Sequence, residues 1–582
     1  MSIVSWFERS EITSSLWKRI DGFLAGYRQN VALLGPPDVG KTALLNRLLL
    51  EKCVPSLPLI SVYIDFRTGE TFAEWAARFI EAVVSAVVRV KCAGMPGGGD
   101  PVGLFQRSTE WIPHSAQVAQ RLLVKLDEQK ANDLFGKVWD VPQQVSRETG
   151  LPCLLVLDEF HRMDQWGIKE PFRQLGHKIM VQSSTLYVAA SSQSQAARAI
   201  LREGLNLLFG QFEVVEVNPL EPAASLKAIR SVWTDGPMEP FLEHLIMQLA
   251  QGYPGYLDPI LEGLLDKGSR ELAENQERAV LDVLESLMLD GRGILRQHFE
   301  NRLRALPPHP GRRGWLQVLA AVACGFHRTA QIAVAVERSS SYVGKALKIL
   351  EQHGFVLKNG GFYRVPDRLF RLWLLTAYPI LQGAAFSDSV HARAHFRDSL
   401  WMWIKKVRET IDRPLEGQVK ELLRRWSGEL CEVEGKRIVL PKMCRVESVA
   451  GIVPATAFIA HQESQADKSW LVIPWLGSLQ EGHARAVAEG VGKIPFKYHK
   501  KVLIGAHSVE VNARIILQEH QIRIWDLDVL SDLLDLYGLS RLSLPSHAAF
   551  SLAPSTPIHA QGRLMETEDQ HPFHVNRDQA VS

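Results

Sequence analysis

The sequence predicts an α/β fold that starts with a parallel sheet and continues into a helical lid, a winged helix and a C-terminal α/β domain. Three observations predict it. Strand-like apolar runs alternate with helix-like segments over residues 1–222, a glycine- and proline-rich turn joins the first strand to its helix, and one long apolar run ends in two acids. This alternation is typical of parallel sheets with helices on both faces.

The first domain, residues 1–222, contains five strand-like runs. They are NVALLG, LPLISVYIDFR, LPCLLVLDEFHRMD, STLYVAASSQ and FEVVEVNPL. The third, at 151–164, is continuously apolar before its acids, which is the pattern of a central strand buried on both faces. Segments with helical apolar spacing separate the runs. A Gly-rich break at 94–101 and a helix-prone stretch up to residue 148 predict an insertion before the third strand.

Four regions follow the sheet. Residues 223–305 have a helical pattern interrupted by GYPGY, which predicts a helical lid. Residues 306–380 carry helical segments and then two short β-prone runs around Asn-Gly-Gly, the order of a winged helix. Residues 385–543 mix helices with the strands TAFIAHQ, SWLVIPWL, KKVLIGA and IRIWDL, a second α/β unit. Residues 544–582 are expected to form a flexible tail.

Composition and charge exclude several classes of protein. The chain has 582 residues, of which 46% are hydrophobic and 22% charged, so it is expected to be globular and multidomain. Its 66 basic and 64 acidic residues nearly cancel, so binding to nucleic acid would need a local basic surface. No apolar run reaches the roughly 18–20 residues of a membrane span, and the cysteines lack metal-ligand spacing. We therefore expect a cytoplasmic protein without a membrane partner.

The turn after the first strand carries a nucleotide-binding motif. Residues 35–42 are GPPDVGKT, a full match to G-x-x-x-x-G-K-[ST] between a strand and a helix. Glycines let backbone N–H groups surround phosphates, and the helix N-terminus adds positive potential. Lys41 is expected to reach the β- and γ-phosphates of ATP, and Thr42 to offer its hydroxyl to Mg²⁺. The expected ATP contacts are Gly35, Pro36, Pro37, Asp38, Val39, Gly40, Lys41 and Thr42.

The acids that end LLVLDEF supply the second half of a P-loop NTPase site. Asp158 is expected to hold Mg²⁺ together with the loop threonine, and Glu159 to polarise the attacking water as the catalytic residue. At the end of the next strand, one of residues 191–193, with Ser192 preferred, is expected to contact the γ-phosphate. The alternative is a Ser-rich turn that caps the following helix.

In chain order, these motifs resemble the archaeal-type P-loop ATPases of the STAND branch, which are close to AAA+ proteins. The resemblance spans residues 5–380: WFERSEI, which looks like an F-x-x-R-x-x-E-L opening motif with one residue missing, then the phosphate loop, LDEF, AASSQS, VVEVNPL and GYPGYL. It implies that Gly252, Pro254 and Gly255 lie in a helical lid near the nucleotide, and that a winged helix follows.

One position departs from that family. Relatives often carry a Gly-Arg pair before the strand that corresponds to FEVVEV, and this chain has Gly210-Gln211. The resemblance therefore implies that an arginine expected to contact the nucleotide or a neighbouring subunit is absent, which argues against fast hydrolysis. Arg198 and Arg202 are candidates to replace it.

The winged-helix region has two alternative roles. In a DNA reader of this kind the second helix of the helix-turn-helix enters the major groove, and its early residues touch bases and phosphates. Here those early residues are Ser339, Ser340, Ser341 and Tyr342. Basic side chains placed to contact phosphates are Arg338, Lys345, Lys348 and Lys358. The alternative is a contact between domains or with a protein partner.

The C-terminal unit resembles the restriction-endonuclease-like domain that closes many of these ATPases. An active nuclease of that fold needs a carboxylate on one strand and Glu-x-Lys on the next, to hold a divalent metal. In this chain the Glu and Lys positions are Ile473 and Trp475, so we expect the fold without the metal site. If that alignment is wrong, the acids available for a metal are Glu416, Glu421, Glu463 and Asp467.

The sequence thus predicts an ATP-dependent molecular switch in which ATP and Mg²⁺ close the lid and reposition the domains that follow it, and hydrolysis resets it. The main alternative is a nucleotide-gated DNA-binding or scaffold protein with negligible turnover, and a third is an ATP-dependent nuclease of a defence or mobile-element system. The expected partners are ATP, double-stranded DNA at the winged helix, and a protein partner or a second copy of the chain.

Overall fold

The structure is a computed structural model, and it describes most of the chain. The described residues are 9–49, 57–91, 101–126, 131–204, 212–233, 238–382, 389–411, 413–433, 436–449, 456–463, 468–494 and 498–539. The expected tail at 544–582, Gln211, Asp467 and most of the Gly-rich break lie outside the described residues.

Five parallel strands form the first sheet, at the places predicted from the sequence. They are β1 (Asn30–Leu34), β2 (Ile60–Asp65), β3 (Cys153–Asp158), β4 (Thr185–Ser191) and β5 (Phe212–Glu216). Their order across the sheet is β2-β3-β4-β1-β5, and every neighbouring pair is parallel. Five parallel strands with helices between them confirm the predicted α/β fold class.

Helices cover both faces of this sheet. They are α1 (Ser10–Leu24), α2 (Lys41–Leu48), α3 (Phe72–Lys91), α4 (Pro101–Ser108), α5 (Pro113–Leu126), α6 (Ala131–Val138), α7 (Val141–Thr149), α8 (Pro171–Val181) and α9 (Ser194–Ala199). Strands β1, β3 and β4 are buried along their whole length, which explains their uninterrupted apolar runs. One face packs against α1 and α2 and the other against α3–α8, so the insertion helices belong to the core of the first domain.

The middle of the chain is helical and has one continuous core. Its elements are α10 (Pro222–Val232), α11 (Pro240–Ala250), α12 (Pro254–Glu274), α13 (Gln276–Met288), α14 (Ile294–Arg304), α15 (Arg312–Cys324), α16 (Thr329–Ala335), α17 (Ser340–Gln352), β6 (Leu357–Asn359), β7 (Phe362–Arg364), α18 (Arg368–Thr376), α19 (Tyr378–Gln382) and α20 (Ser389–Ile411). From α15 to β7 the order is three helices and a hairpin, as the sequence predicts. The buried side chains of α20 lie in this core, which favours a domain boundary after 411 instead of the predicted 385.

The C-terminal unit has a mixed sheet covered on both faces. It consists of α21 (Leu415–Arg425), β8 (Glu429–Val433), β9 (Lys436–Leu440), β10 (Met443–Val449), β11 (Ala457–Gln462), β12 (Ser469–Leu479), α22 (Glu481–Lys493), β13 (Lys500–Val509), α23 (Val511–Glu519), β14 (Ile522–Asp526) and α24 (Leu527–Leu536). Strands β10 to β14 lie in chain order, antiparallel up to β12 and parallel from there. Helices α21 and α24 pack on one face, α22 and α23 on the other.

Among the described residues, no single helix is long and apolar enough to cross a membrane. Helices α15 and α16 reach that threshold only when they are joined across a bend of 114°, by length and composition alone.

Candidate functional site

The candidate nucleotide site starts at the turn between β1 and α2. Gly40, the last residue before the helix, has a φ of 91°, in the left-handed region that glycine adopts without strain. Asp38 also has a positive φ, 61°, which costs a residue with a side chain roughly 1 kcal/mol or more. Because Pro36 and Pro37 have no N–H group, the donors that the turn can offer to an anion are the amides of residues 38–42.

Lys41 is buried, with 4% exposure, and folds back over its own loop. Its ammonium group donates to the carbonyl oxygens of Gly35, at 2.9 Å, and Pro36, at 2.7 Å. Burial lowers the pKa of Lys41, and nearby carboxylates, Glu159 foremost, oppose that shift. The Lys41 ammonium group is therefore held by two neutral carbonyl acceptors. A phosphate in their place would accept stronger, charge-assisted hydrogen bonds from it.

Asp158 ends β3 beside the turn and is 3% exposed. Its Oδ2 accepts hydrogen bonds from Thr42 Oγ1, at 2.6 Å, and from the Tyr63 hydroxyl, at 2.9 Å. Its Oδ1 is buried and has no hydrogen-bond partner among the described residues. Burial raises the pKa of Asp158, and the two donors oppose the shift. An unsatisfied carboxylate oxygen beside a threonine hydroxyl fits a Mg²⁺ ion, which prefers oxygen ligands.

Glu159 follows in the left-handed conformation, with a φ of 59°. Its Oε2 accepts hydrogen bonds from the backbone N–H of Ser192, at 3.1 Å, and from the Ser192 hydroxyl, at 2.7 Å. Within the part of the chain that the structure describes, Oε1 has no such partner. A carboxylate that is held through one oxygen and open at the other is suited to accept a proton from water.

A buried histidine lies against this carboxylate. His161 Nδ1 is 3.3 Å from Glu159 Oε2 and 2.8 Å from the Ser191 hydroxyl. Burial lowers the pKa of His161 to about 3, so the ring is neutral near pH 7. Ser191 Oγ also accepts from the N–H of Gln193, at 3.1 Å. The two serines expected near the γ-phosphate are therefore both bonded within the protein, Ser191 to His161 and Ser192 to Glu159.

Residues 252–255, which the resemblance assigns to a lid near the nucleotide, contact the phosphate loop directly. Pro254, the first residue of α12, packs beside Gly40, and the Gly255 N–H donates to the Asp38 carbonyl at 3.2 Å. A Cβ at Gly255 would lie 2.9 Å from the Asp38 Cβ, so this approach requires glycine. The carbonyl of Gly252 accepts from the N–H of the leucine that ends VVEVNPL, at 2.7 Å.

A second lid contact joins the loop to α14. His298 Nε2 lies 2.8 Å from Asp38 Oδ2. Burial alone would raise the pKa of Asp38, but His298, Arg302 and Lys41 hold it below its usual value. Because His298 and Arg302 are one helical turn apart, they lie on the same face of α14. The loop aspartate is thus an anion held by the lid.

Arg302 continues the connection to α18. Its guanidinium donates to Asp367 Oδ2 at 2.7 Å and lies over the Phe370 ring, 4.7 Å from the centroid. The Asp367 side chain is the N-cap of α18 and also accepts from the Tyr256 hydroxyl at 2.5 Å. Two side chains on one face of α14, His298 and Arg302, therefore contact the phosphate loop and the start of α18 respectively.

Sequence reasoning missed three residues of this site. Arg9, inside the quoted WFERSEI, donates to the Val39 carbonyl at 2.8 Å, and burial lowers its pKa to about 10. Among the described residues Arg9 pairs with no carboxylate, so it adds positive charge beside the loop. Tyr63 and His298 carry no motif, because strand register and helix packing alone bring them to the loop.

The two arginines considered as replacements have other contacts. Arg198 forms an ion pair with Glu216 at the end of β5, and Arg202 lies 3.9 Å from Glu203. Both side chains are exposed. Gln211 itself lies outside the described residues.

The winged-helix region presents a basic helix and a covered hairpin. Ser340, Ser341, Lys345 and Lys348 are exposed on α17, and Ser339 caps that helix through the Tyr342 N–H at 3.2 Å. The hairpin tip is bound to β8 of the C-terminal unit.

Two contacts hold that tip. The Gly361 N–H donates to the Leu430 carbonyl at 3.1 Å, and the Asn359 amide exchanges two hydrogen bonds with the Glu432 backbone. Lys358, on this hairpin, lies 5.7 Å from the centroid of the Tyr363 ring. The basic surface available to a partner is therefore α17 and not the hairpin tip.

The C-terminal strand β12 carries no acid at the expected nuclease positions. Ile473 and Trp475 are 0% and 5% exposed and lie in the apolar core. Glu421 pairs with Arg425 at 2.9 Å, and Glu463 with Lys442 at 2.8 Å. Glu416 lies on α21, half-buried. The described residues contain no group of three or more His, Cys, Asp and Glu side chains able to hold a metal.

Comparison with known proteins adds little to this geometry. No protein-family model and no curated protein matches the sequence. A Walker-type ATPase of Pyrococcus abyssi is similar over 63% of this chain and 96% of its own, at 18% identity and a TM-score of 0.45.

Two further solved structures are more distant. The ORC2 protein of Aeropyrum pernix in ADPNP–ADP complexes is similar over 64% of this chain and 93% of its own, at 14% identity and a TM-score of 0.38. The RuvB Holliday junction branch migration motor of Thermotoga maritima is similar over 63% of this chain and 94% of its own, at 13% identity and a TM-score of 0.31. Likenesses at this level assign no role to any residue, so the functional argument rests on the site itself.

Proposed function

We propose that this protein binds ATP with Mg²⁺ at the phosphate loop and hydrolyses it as a molecular switch of the STAND/AAA+ type. The observation that carries the proposal is the double contact of Asp38 with the lid: its carbonyl oxygen accepts from the Gly255 N–H of α12, and its Oδ2 lies 2.8 Å from His298 Nε2 of α14. A ligand that rearranges the loop must therefore also disturb the lid.

The chemistry follows from the side chains around the loop. Lys41 and the loop amides would hold the phosphates, and Thr42 and Asp158 would hold Mg²⁺, which supplies positive charge to the phosphate oxygens. Glu159 Oε1 would accept a hydrogen bond from the water that attacks the γ-phosphorus. As the new P–O bond forms, the bond to the bridging oxygen breaks and ADP leaves. Ser192 positions Glu159 by binding its other oxygen.

The switch would work through contacts that already connect the domains. ATP would draw the Lys41 ammonium from the loop carbonyls to the phosphates, which changes the loop conformation around Asp38. Helix α14 follows Asp38 through His298 and reaches Asp367 through Arg302. The next residue, Arg368, forms an ion pair with Asp535 of α24. This path would carry the nucleotide state to the C-terminal unit.

The test compares ATP binding and steady-state hydrolysis in matched variants. We expect Lys41→Ala to weaken ATP binding on the order of 100-fold, because a buried charge-assisted contact is lost. Glu159→Gln should keep affinity within about threefold and lower kcat on the order of 10²–10⁴-fold. The exposed Lys18→Ala and Glu203→Gln are the controls. Absence of ATP binding in the wild type would overturn the proposal. Binding without turnover, unchanged by Glu159→Gln, would favour a nucleotide-gated scaffold.

A second candidate function is DNA binding through α17, supported by its four exposed polar and basic side chains. Double charge reversal, Lys345→Glu with Lys348→Glu, is expected to weaken binding to duplex DNA. It should also flatten the dependence of log K on log salt by roughly two units, since two phosphate contacts are lost. Fluorescence anisotropy over a salt series measures both, with Lys18→Glu as the control. An unchanged slope would leave α17 as a protein-contact surface.

We also propose that the C-terminal domain is a docking domain with a restriction-endonuclease-like fold. The succession of α21, the β8–β9 hairpin, three antiparallel strands, α22 and the parallel strand β13 supports this proposal. The buried apolar side chains at Ile473 and Trp475 argue against a nuclease site on β12.

A further inference from the structure

A polar cavity of about 640 Å³ lies between the winged-helix region and the C-terminal unit. Its lining includes Arg328, Gln331, Arg371, Arg425, Ser427 and Glu429, and none of the phosphate-loop residues. The lining comes from the start of α16, the helix α18, the segment that joins α21 to β8, the strand β7 and the ends of α15 and α24.

Arg371 is the unusual member of this lining. Its Nε donates to the Ala323 carbonyl at 2.8 Å, and its two terminal nitrogens have no acceptor among the described residues. The side chain is largely buried, and this burial lowers the pKa of Arg371. A partly buried guanidinium whose terminal nitrogens lack an acceptor among the described residues can donate to an anion that enters the cavity.

The lining of the cavity contains more basic than acidic side chains. Glu429 is the one acid in the lining, and it is fully engaged: it accepts from Arg328 Nη2 at 2.9 Å, from the Ser427 N–H at 2.7 Å and from the Tyr537 hydroxyl at 2.8 Å. Arg425 reaches the cavity from the end of α21. Three guanidinium groups thus line the cavity: Arg328 is paired with Glu429 and Arg425 with Glu421, whereas Arg371 contacts no carboxylate among the described residues.

We propose that this cavity is a second phosphate-binding site, separate from the phosphate loop, for a ligand that carries at least two negative charges. Guanidinium forks match phosphate oxygens in pairs, which favours phosphate over a single carboxylate. The volume is in the range of roughly 300–1,000 Å³ typical of small-ligand sites.

The phosphate has two chemical sources. One is a free phosphate ester of nucleotide size. The other is the backbone of nucleic acid, because Arg328 and Gln331 lie at the start of α16, and the first helix of a helix-turn-helix crosses the DNA backbone.

The test uses the full chain with Lys41→Ala, in EDTA, so that the phosphate loop does not compete. Inorganic pyrophosphate is titrated by calorimetry. We expect binding, a loss of at least about tenfold with Arg371→Lys and with Arg425→Ala, and no change with Arg424→Ala on the same helix. Arg371→Lys keeps the positive charge and removes the paired guanidinium donors. Circular dichroism checks that each variant is folded. No binding, or an equal loss with Arg424→Ala, would overturn the proposal.

A duplex DNA competitor then identifies the source. If the duplex displaces pyrophosphate and Arg371→Lys weakens its binding, the phosphate belongs to a nucleic-acid backbone. If pyrophosphate stays bound, the ligand is a free phosphate ester. Because the titration is done without a working phosphate loop, its result is independent of whether ATP binds there.

Discussion

Each of the two sheets has a strand that ends in an aspartate, and the two aspartates have different hydrogen-bond partners. Asp158 follows LLVL on β3, and Asp526 follows IRIW on β14. Asp526 caps α24, since its Oδ1 accepts from the Val529 N–H at 2.9 Å. Asp158 caps no helix; it is 3% exposed and one of its oxygens is unsatisfied within the described residues. An acid after an apolar run becomes a candidate site where neighbouring strand ends bring other polar groups to it.

The side chains at the carboxyl ends of the strands differ between the two sheets in the same way. In the first sheet, Thr42 and Tyr63 converge on Asp158, and Ser192 on Glu159. In the second, β12 is lined by apolar core side chains, and its exposed end has a hydrogen bond between Ser478 and Ser508 at 2.8 Å. Charged and polar side chains thus contact one another at the carboxyl edge of the first sheet. At the carboxyl edge of the second sheet, Asp526 caps a helix instead.

The strongest test of this contrast changes both aspartates in the same way. Asp158→Asn is expected to lower ATP hydrolysis on the order of 100-fold or more, because the carboxylate that would hold Mg²⁺ is lost. Asp526→Asn is expected to stay within about twofold, since asparagine is as good an N-cap as aspartate. Steady-state hydrolysis at saturating Mg²⁺ measures both. Equal effects of the two changes would break the comparison.

The second test compares two histidines that bond to serines. His161 Nδ1 contacts Ser191, and His461 Nδ1 contacts Ser469 at 2.9 Å with a side chain that is 20% exposed. The folded pKa of His161, about 3, lies below the usual 6.5, so the unfolded chain binds the proton first.

Stability from His161 is therefore complete above pH 6.5 and is lost as the pH falls towards 3. His161→Gln should remove up to about 1.4 kcal/mol per pH unit from the slope of the unfolding free energy in this window. His461→Gln, which also removes a contact between a histidine and a serine, is the matched control. Urea unfolding between these pH values measures the slope, and a slope that His161→Gln leaves unchanged would contradict the account.

The smallest expected effect concerns the orientation of Asp158. Tyr63→Phe removes one donor from its Oδ2, worth about 0.5–1.5 kcal/mol, and should change the apparent Mg²⁺ affinity by roughly three- to tenfold. Its control is Tyr27→Phe, because that side chain is 80% exposed. Mg²⁺ titration of ATP hydrolysis distinguishes the two. No change with Tyr63→Phe would mean that Thr42 alone orients the carboxylate.

The sequence predicts the strands and the local motif well, and the long-range contacts poorly, for physical reasons. The phosphate loop and LLVLDEF are visible because each is one short segment with a fixed order of residue types. Tyr63 reaches Asp158 because it pairs with Val156 in the parallel register, two residues before the acid and on the same face. That register depends on packing and has no local signature.

The same holds for the domain contacts. His298 has no motif, and only the packing of α14 on the loop brings it to Asp38. The hairpin at Asn359–Gly361 was predicted from its turn residues, but its attachment to β8 depends on the placement of the C-terminal unit. Sequence periodicity therefore locates elements, and side-chain geometry between elements decides which of their faces remain available.

The central claim is that ATP at the loop acts on α14 and α18 through Asp38 and His298. Hydrogen–deuterium exchange tests it most directly, in Glu159→Gln protein with and without Mg²⁺ and ATP. We predict that ATP slows exchange in α14 and in the first turn of α18, that His298→Ala abolishes the change in α18, and that the exposed Arg304→Ala does not. The account would be contradicted if ATP did not change the exchange rate in α18, or if ATP changed it by the same amount with and without the His298→Ala substitution.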